Sequence, residues 1–190
     1  MKKTIFITVV ATLCFFFISR SQVKNATATD EKISALTVGG KVGSLEFHQV
    51  YNYKTPSMKL SDFKGKAIIL DFWGVWCSTC IKYTPHMQKF QQEYKNNLMV
   101  ILVDDAPVDT EQIIIDFLGK RKAEGKGITL PIVLRPPTTK ALFPHTFYPH
   151  YVWVGPDGRI KAITGPEELK DENVQRLVAG LDLNLTIKEN

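Results

Sequence analysis

Cysteine is scarce in this chain of 190 residues, occurring only at Cys14, Cys77 and Cys80. So few cysteines exclude the dense disulfide framework of a small secreted scaffold. Charge of one sign is also lacking. The formal net charge is +5, but Lys2, Lys3 and Arg20 lie in an N-terminal stretch without acids; beyond it 21 basic residues face 19 acidic ones. A near-balanced surface points neither to nucleic acid nor to an anionic membrane surface. There is no internal repeat, no low-complexity segment, and no apolar run of the ~20 residues that a membrane-spanning helix needs. The remainder is an ordinary globular composition, 44% hydrophobic, sufficient for one domain with an N-terminal extension.

That extension, residues 1–21, reads as an export signal. Lys2 and Lys3 form a positive start, and Ile5 to Ile18 is mostly apolar. Ser19 and Ser21 put small residues at −3 and −1 of a cut before Gln22. The expected location is therefore periplasmic, with membrane tethering through an uncleaved N-terminus as the alternative. Cleavage removes Cys14 and leaves Cys77 and Cys80 as the only cysteines. Residues 22–41 read as a linker, and 42–190 as the folded domain.

Within the domain, Leu45 to Tyr53 alternates like a strand, and Ser57 to Leu60 can pair with it. Ala67 to Phe72 and Leu98 to Val103 are apolar runs of buried-strand length. Between them, Tyr83, Met87, Phe90 and Tyr94 repeat at helical spacing over Ser78 to Lys95, with Pro85 as a kink. A second helix is expected over Asp109 to Lys122, capped by Asp109 or Thr110, with Ile113, Ile114, Phe117 and Leu118 inward. Leu130 to Leu134 is extended. Tyr151 to Val154 and Arg159 to Thr164 flank Gly155-Pro156-Asp157-Gly158, a hairpin with clear turn chemistry. The last helix is expected over Lys170 to Leu183. This order predicts an α/β fold, a sheet covered by helices.

The stretch that carries chemistry is Asp71-Phe72-Trp73-Gly74-Val75-Trp76-Cys77-Ser78-Thr79-Cys80. Its two cysteines, separated by two residues, stand at a strand-to-helix turn. A pair so spaced can close a small disulfide ring. The first sulfur sits at a helix N-terminus, where the dipole and free N–H groups favour a thiolate. Cys77 is therefore the expected nucleophile, the more exposed of the two, and Cys80 the resolving thiol one turn on. Zinc needs about four ligands, and neither a second CxxC nor paired His spacing exists. His48, His86, His145 and His150 are scattered and read as surface or turn residues, so no metal and no cofactor is expected. Asp71, within an apolar run, should have its pKa raised by desolvation. It either relays a proton to Cys80 or merely bonds a nearby backbone group. Trp76 is expected to shield one side of the Cys77 sulfur, and Trp73 to pack.

From Val42 onward the chain resembles the thioredoxin superfamily, and within it the exported TlpA/ResA-type thiol–disulfide oxidoreductases. The resemblance rests on Leu60-Ser61-Asp62-Phe63-Lys64-Gly65-Lys66, the following strand, and the Phe72–Trp73 to Cys77–Cys80 block. Pro85 matches the family's helix proline, and Pro149, before Tyr151 to Val154, matches its cis-proline. The resemblance implies a thioredoxin-like fold: a central mixed sheet flanked by helices, an N-terminal strand extension and an inserted helix and strand around Asp109 to Leu134. It also implies that an extended substrate lies along the main chain of Tyr148 beside Pro149, and it strengthens the relay role of Asp71. Ser78-Thr79 departs from the family's frequent proline before the second cysteine. Tyr148 is bulkier than the Thr or Val common at its position.

The implied function is exported thiol–disulfide exchange on protein disulfides, as a reductant recharged by a membrane electron donor, without nucleic acid and with the oligomeric state open. One rival is a peroxiredoxin-like thiol peroxidase, but Cys77 lacks the Thr-x-x-x-Cys or Thr-x-x-Cys context. Another is a metal or haem-assembly thiol carrier; a copper carrier would space its cysteines by three residues and add a distal His.

Overall fold

Seven consecutive buried residues, Ala67–Trp73, form the strand around which the other elements are laid. The computed structural model describes residues 34–43 and 45–185, so the expected export signal and most of the linker lie outside the described residues. The order is β1 (Glu46–His48), β2 (Val50–Tyr51), β3 (Ser57–Lys59), a 3-10 turn (Leu60–Phe63), β4 (Ala67–Trp73) and α1 (Ser78–Glu93). There follow β5 (Leu98–Asp104), α2 (Glu111–Ala123), β6 (Ile132–Leu134), α3 (Thr139–Leu142), β7 (His150–Val154), β8 (Ile160–Thr164), a 3-10 turn (Pro166–Glu168) and α4 (Asp171–Val178).

The main sheet has the order β2-β6-β5-β4-β7-β8. β4, β5 and β6 run parallel, while β2, β7 and β8 pair antiparallel with their neighbours. Side chains of β4 alternate between the faces, as a period of two demands. Ala67, Ile69 and Trp73 join one core layer with Met87 and Phe90 of α1, Ile114 of α2, Val174 and Leu177 of α4, and both Cys77 and Cys80. Ile68, Leu70 and Phe72 join the opposite layer with Phe47, Met58 and Phe143. Asp71 has the parity of Ile69 and Trp73, so it faces the layer that holds the two sulfurs.

Three local expectations differ. Leu45 to Tyr53 is not one strand. Gln49 takes a φ of 54°, a left-handed conformation that interrupts the pleat. β1 therefore pairs with β3 in a separate two-stranded sheet, while β2 becomes the edge of the main sheet against β6. The last helix ends at Val178. Gly180 has a φ of 70°, and the amides of Gly180 and Leu181 bond back to the carbonyls of Leu177 and Arg176, the glycine-centred stop that closes many helices. On α2 only Ile114 is buried, and Ile113 is exposed. Pro85 sits inside α1, which continues through it as one helix. Within the expected linker, the amides of Leu36 and Gly39 donate to the carbonyls of Leu142 and Ile160 of the domain.

Candidate functional site

Where β4 ends, Gly74 to Cys77 makes a tight turn closed by the Cys77 amide donating to the Gly74 carbonyl at 3.0 Å. Cys77 is the N-cap of α1, and its Sγ accepts the Cys80 N–H at 3.1 Å. The two sulfurs are joined as a disulfide, with Cα atoms 5.2 Å apart. The cap position places Cys77 at the positive end of the α1 dipole. Cys77, expected as the more exposed of the two, is 5% exposed against 1% for Cys80, and both are buried. The exposed group beside them is the Trp76 side chain.

The turn is held from outside by a residue that sequence reasoning weighed only as a helix cap. Thr110 caps α2, its Oγ1 accepting the Ile113 N–H at 3.3 Å. Asp109 is buried, and its Oδ2 accepts the Val75 N–H at 2.9 Å. A β-carbon on Gly74 would stand 3.0 Å from that oxygen and 3.0 Å from Trp76 Nε1, so glycine is what admits the close approach. Asp104, at the end of β5, is fully buried and pushed up to about 8, first by burial and then by the charge of Asp109. It is therefore protonated at neutral pH.

Asp71 lies opposite Leu102 of β5 and Tyr151 of β7. Burial raises its carboxyl well above the usual range, and Oδ1 has no hydrogen-bond partner among the described residues. The Tyr151 phenol is likewise raised, by burial first and the Asp71 charge second.

The Tyr148–Pro149 peptide is cis, immediately before β7, and Pro149 is buried. The Tyr148 ring stands edge-on to Trp76 at 5.6 Å, so the residue before the proline touches the residue before Cys77. Lys140 Nζ lies over the ring at 5.3 Å, and Tyr148 Oη donates to Asp105 Oδ1 at 2.8 Å. Trp73 is buried in the core. The expectation of surface histidines fails for two of the four. His145 and His150 are buried and stacked at 4.6 Å, on the sheet face opposite the sulfurs, where both also pack against Phe72. The scattered spacing of the histidines gave no sign of this, because loop and strand meet only in the fold.

The Redoxin family model matches residues 38–178. The chain is 30% identical over 119 residues to the thioredoxin-like protein YneN of Bacillus subtilis, covering 62% of this chain and 67% of that one. It is 43% identical over 61 residues to the thiol-disulfide oxidoreductase ResA of Bacillus thuringiensis, covering 32% of this chain and 35% of ResA. The match thus spans about a third of the length of that relative. Among solved structures, the thioredoxin domain of a thiol-disulfide oxidoreductase from Bacteroides vulgatus superposes with a TM-score of 0.58 at 23% identity, covering 75% of this chain and 99% of that one. The pneumococcal exposed lipoprotein thioredoxin of Streptococcus pneumoniae gives 0.57 at 23% identity, over 73% and 99%. These likenesses carry the fold, which is thioredoxin-like.

Proposed function

The chain belongs to the Redoxin family, its TlpA/ResA-like thioredoxin branch, and on that footing we propose that it is an exported thiol–disulfide oxidoreductase that reduces protein disulfides. The observation that carries this reading is the Cys77–Cys80 pair at the N-terminus of α1, beside the Tyr148–Pro149 segment. In the reduced chain the Cys77 thiolate attacks one sulfur of a substrate disulfide. The substrate S–S bond breaks, and one substrate sulfur leaves as thiolate while the other stays bound to Cys77. The Cys80 thiolate then attacks Cys77 Sγ, the mixed disulfide breaks, and the second substrate thiolate departs. Two electrons pass to the substrate, and the chain is left with its Cys77–Cys80 disulfide. A membrane electron donor returns it to the dithiol.

Asp71 takes the proton from the Cys80 thiol in the resolving step. A raised carboxyl lies closer than an ordinary one to the thiol's pKa of about 8.5, which brings the transfer nearer to balance. Support for this role is its parity on β4, facing the layer of the sulfurs, and its burial. Trp76 and the main chain of Tyr148 form the edge on which an extended substrate lies, by addition of a strand. Export is through residues 1–21, with the domain acting in the periplasm or tethered at its membrane; among the described residues no helix is long and apolar enough to cross a membrane.

The direction of transfer is tested by equilibrating the purified chain with glutathione buffers and following the Cys77–Cys80 couple. A reductant has a midpoint potential near or below about −220 mV, whereas about −120 mV would make the chain an oxidant.

A further inference from the structure

We propose that Asp105 is a positioning residue for substrate: its buried carboxylate ties Tyr148 and His145 together and so fixes the Tyr148–Pro149 main chain beside Cys77. This rests on the reading of that main chain as the substrate edge. Between α3 and β7, residues 143–149 form neither helix nor strand, so no regular ladder of backbone bonds holds the segment. Asp105, the residue after β5, has a side chain only 3% exposed. Its Oδ1 accepts the Tyr148 hydroxyl at 2.8 Å and faces His145 Nε2 at 3.3 Å. Its Oδ2 accepts Thr139 Oγ1, at the start of α3, at 3.4 Å. The Thr139 hydroxyl also has the Pro136 carbonyl within reach, at 3.2 Å, so what this carboxylate joins is Tyr148, which donates to it, and His145, which it faces.

The second anchor is His145 itself. Its Nδ1 lies 2.7 Å from the Phe143 carbonyl oxygen. Its ring is stacked on His150 and stands edge-on to Tyr148 at 4.9 Å. Burial pushes the Asp105 carboxyl up, but His145, Tyr148 and Lys140 outweigh it and hold the group below the ordinary range. It is therefore an ionised acceptor, and hydrogen bonds to ionised acceptors are the strong ones. A substrate edge fixed in advance costs less ordering when a polypeptide binds. Asp105 acts on the reaction through Tyr148.

Two readings of Asp105→Asn test this. Amide hydrogen exchange needs no substrate: exchange at residues 145–148 rises by on the order of tenfold, with β4 and α1 as in the wild type. In the reduction of insulin disulfides by the prereduced chain, KM rises roughly fivefold while kcat and the midpoint potential keep their wild-type values, the signature of lost binding rather than lost chemistry. Unchanged exchange overturns the clamp, and faster exchange with an unchanged KM overturns its link to substrate. A fall in kcat or a moved potential also overturns it, since Asp105 would then act on the sulfurs. If Asp105→Asn does not fold, Tyr148→Phe, which removes only the hydroxyl, decides by the same exchange and KM readings. A wild-type chain that leaves insulin intact removes the functional reading, and the exchange result alone then decides the clamp.

Discussion

Asp71 combines two properties that rarely coexist: it lies inside a fully buried strand and carries an ionisable group. Because burial raises its carboxyl, the charged form is what the fold resists. Asp71→Asn removes that conflict while keeping the shape. At pH 8 the variant is expected to gain about 1–3 kcal/mol in denaturant unfolding. It should also lose tenfold or more in the turnover of protein disulfides, as expected when a proton carrier is removed. A stabilised and still fully active variant would leave Asp71 as a burden without a task. Asp71 drew notice in the sequence because an acid interrupts an apolar run. Asp105 drew none, and His145 only as one of four scattered histidines: the two stand some forty positions apart and meet only through the crossover from β5 to β7.

The turn before α1 shows what is legible in an element and what is not. A strand, a CxxC pair and a helix follow from local pattern alone, since hydrophobic continuity and spacing are properties of neighbours. The tether of that turn is not local. Asp109, just ahead of the first residue of α2, had been weighed as a cap, and the nearby Thr110 takes that work while Asp109 reaches Val75. Removing a buried acceptor leaves its donor unpaired, at about 1–3 kcal/mol. Asp109→Ala should lower stability by about that amount, read as the denaturant midpoint at constant slope, whereas Asp109→Asn, which keeps an acceptor oxygen, should lose less. Equal losses in the two variants would mean that the Val75 bond does not hold the turn. At the other end of the domain, Gly180 stops α4 before Leu181. The apolar pattern runs past that point, so periodicity alone lengthened the helix.

Across the whole molecule, a sheet covered by helices was legible because long apolar strands and helical repeats dominate it; the order of the strands and the division of one alternating run between two sheets were not, since the first depends on long-range pairing and the second on the left-handed conformation of Gln49. Phe90 packs fully buried in the layer that also holds the sulfurs, and Phe90→Ala should cost about 3–5 kcal/mol of global stability by calorimetry or denaturant. Global stability should also depend on pH in a definite direction. Asp71 and Asp104 both bind protons more tightly in the folded chain than an ordinary aspartate does. Their contribution is therefore full below about pH 4 and is lost as pH rises, for Asp104 through about 8. Between pH 5 and pH 8 the chain should lose roughly 2–4 kcal/mol from Asp104 alone, and Asp104→Asn should flatten the profile. The central claim, that Cys77 attacks and Cys80 releases, is tested by presenting Cys80→Ser and Cys77→Ser chains to a protein disulfide and identifying covalent adducts by mass spectrometry. The account predicts that Cys80→Ser accumulates a mixed disulfide through Cys77 while Cys77→Ser accumulates none; adducts on Cys80 alone, or on neither chain, would contradict it.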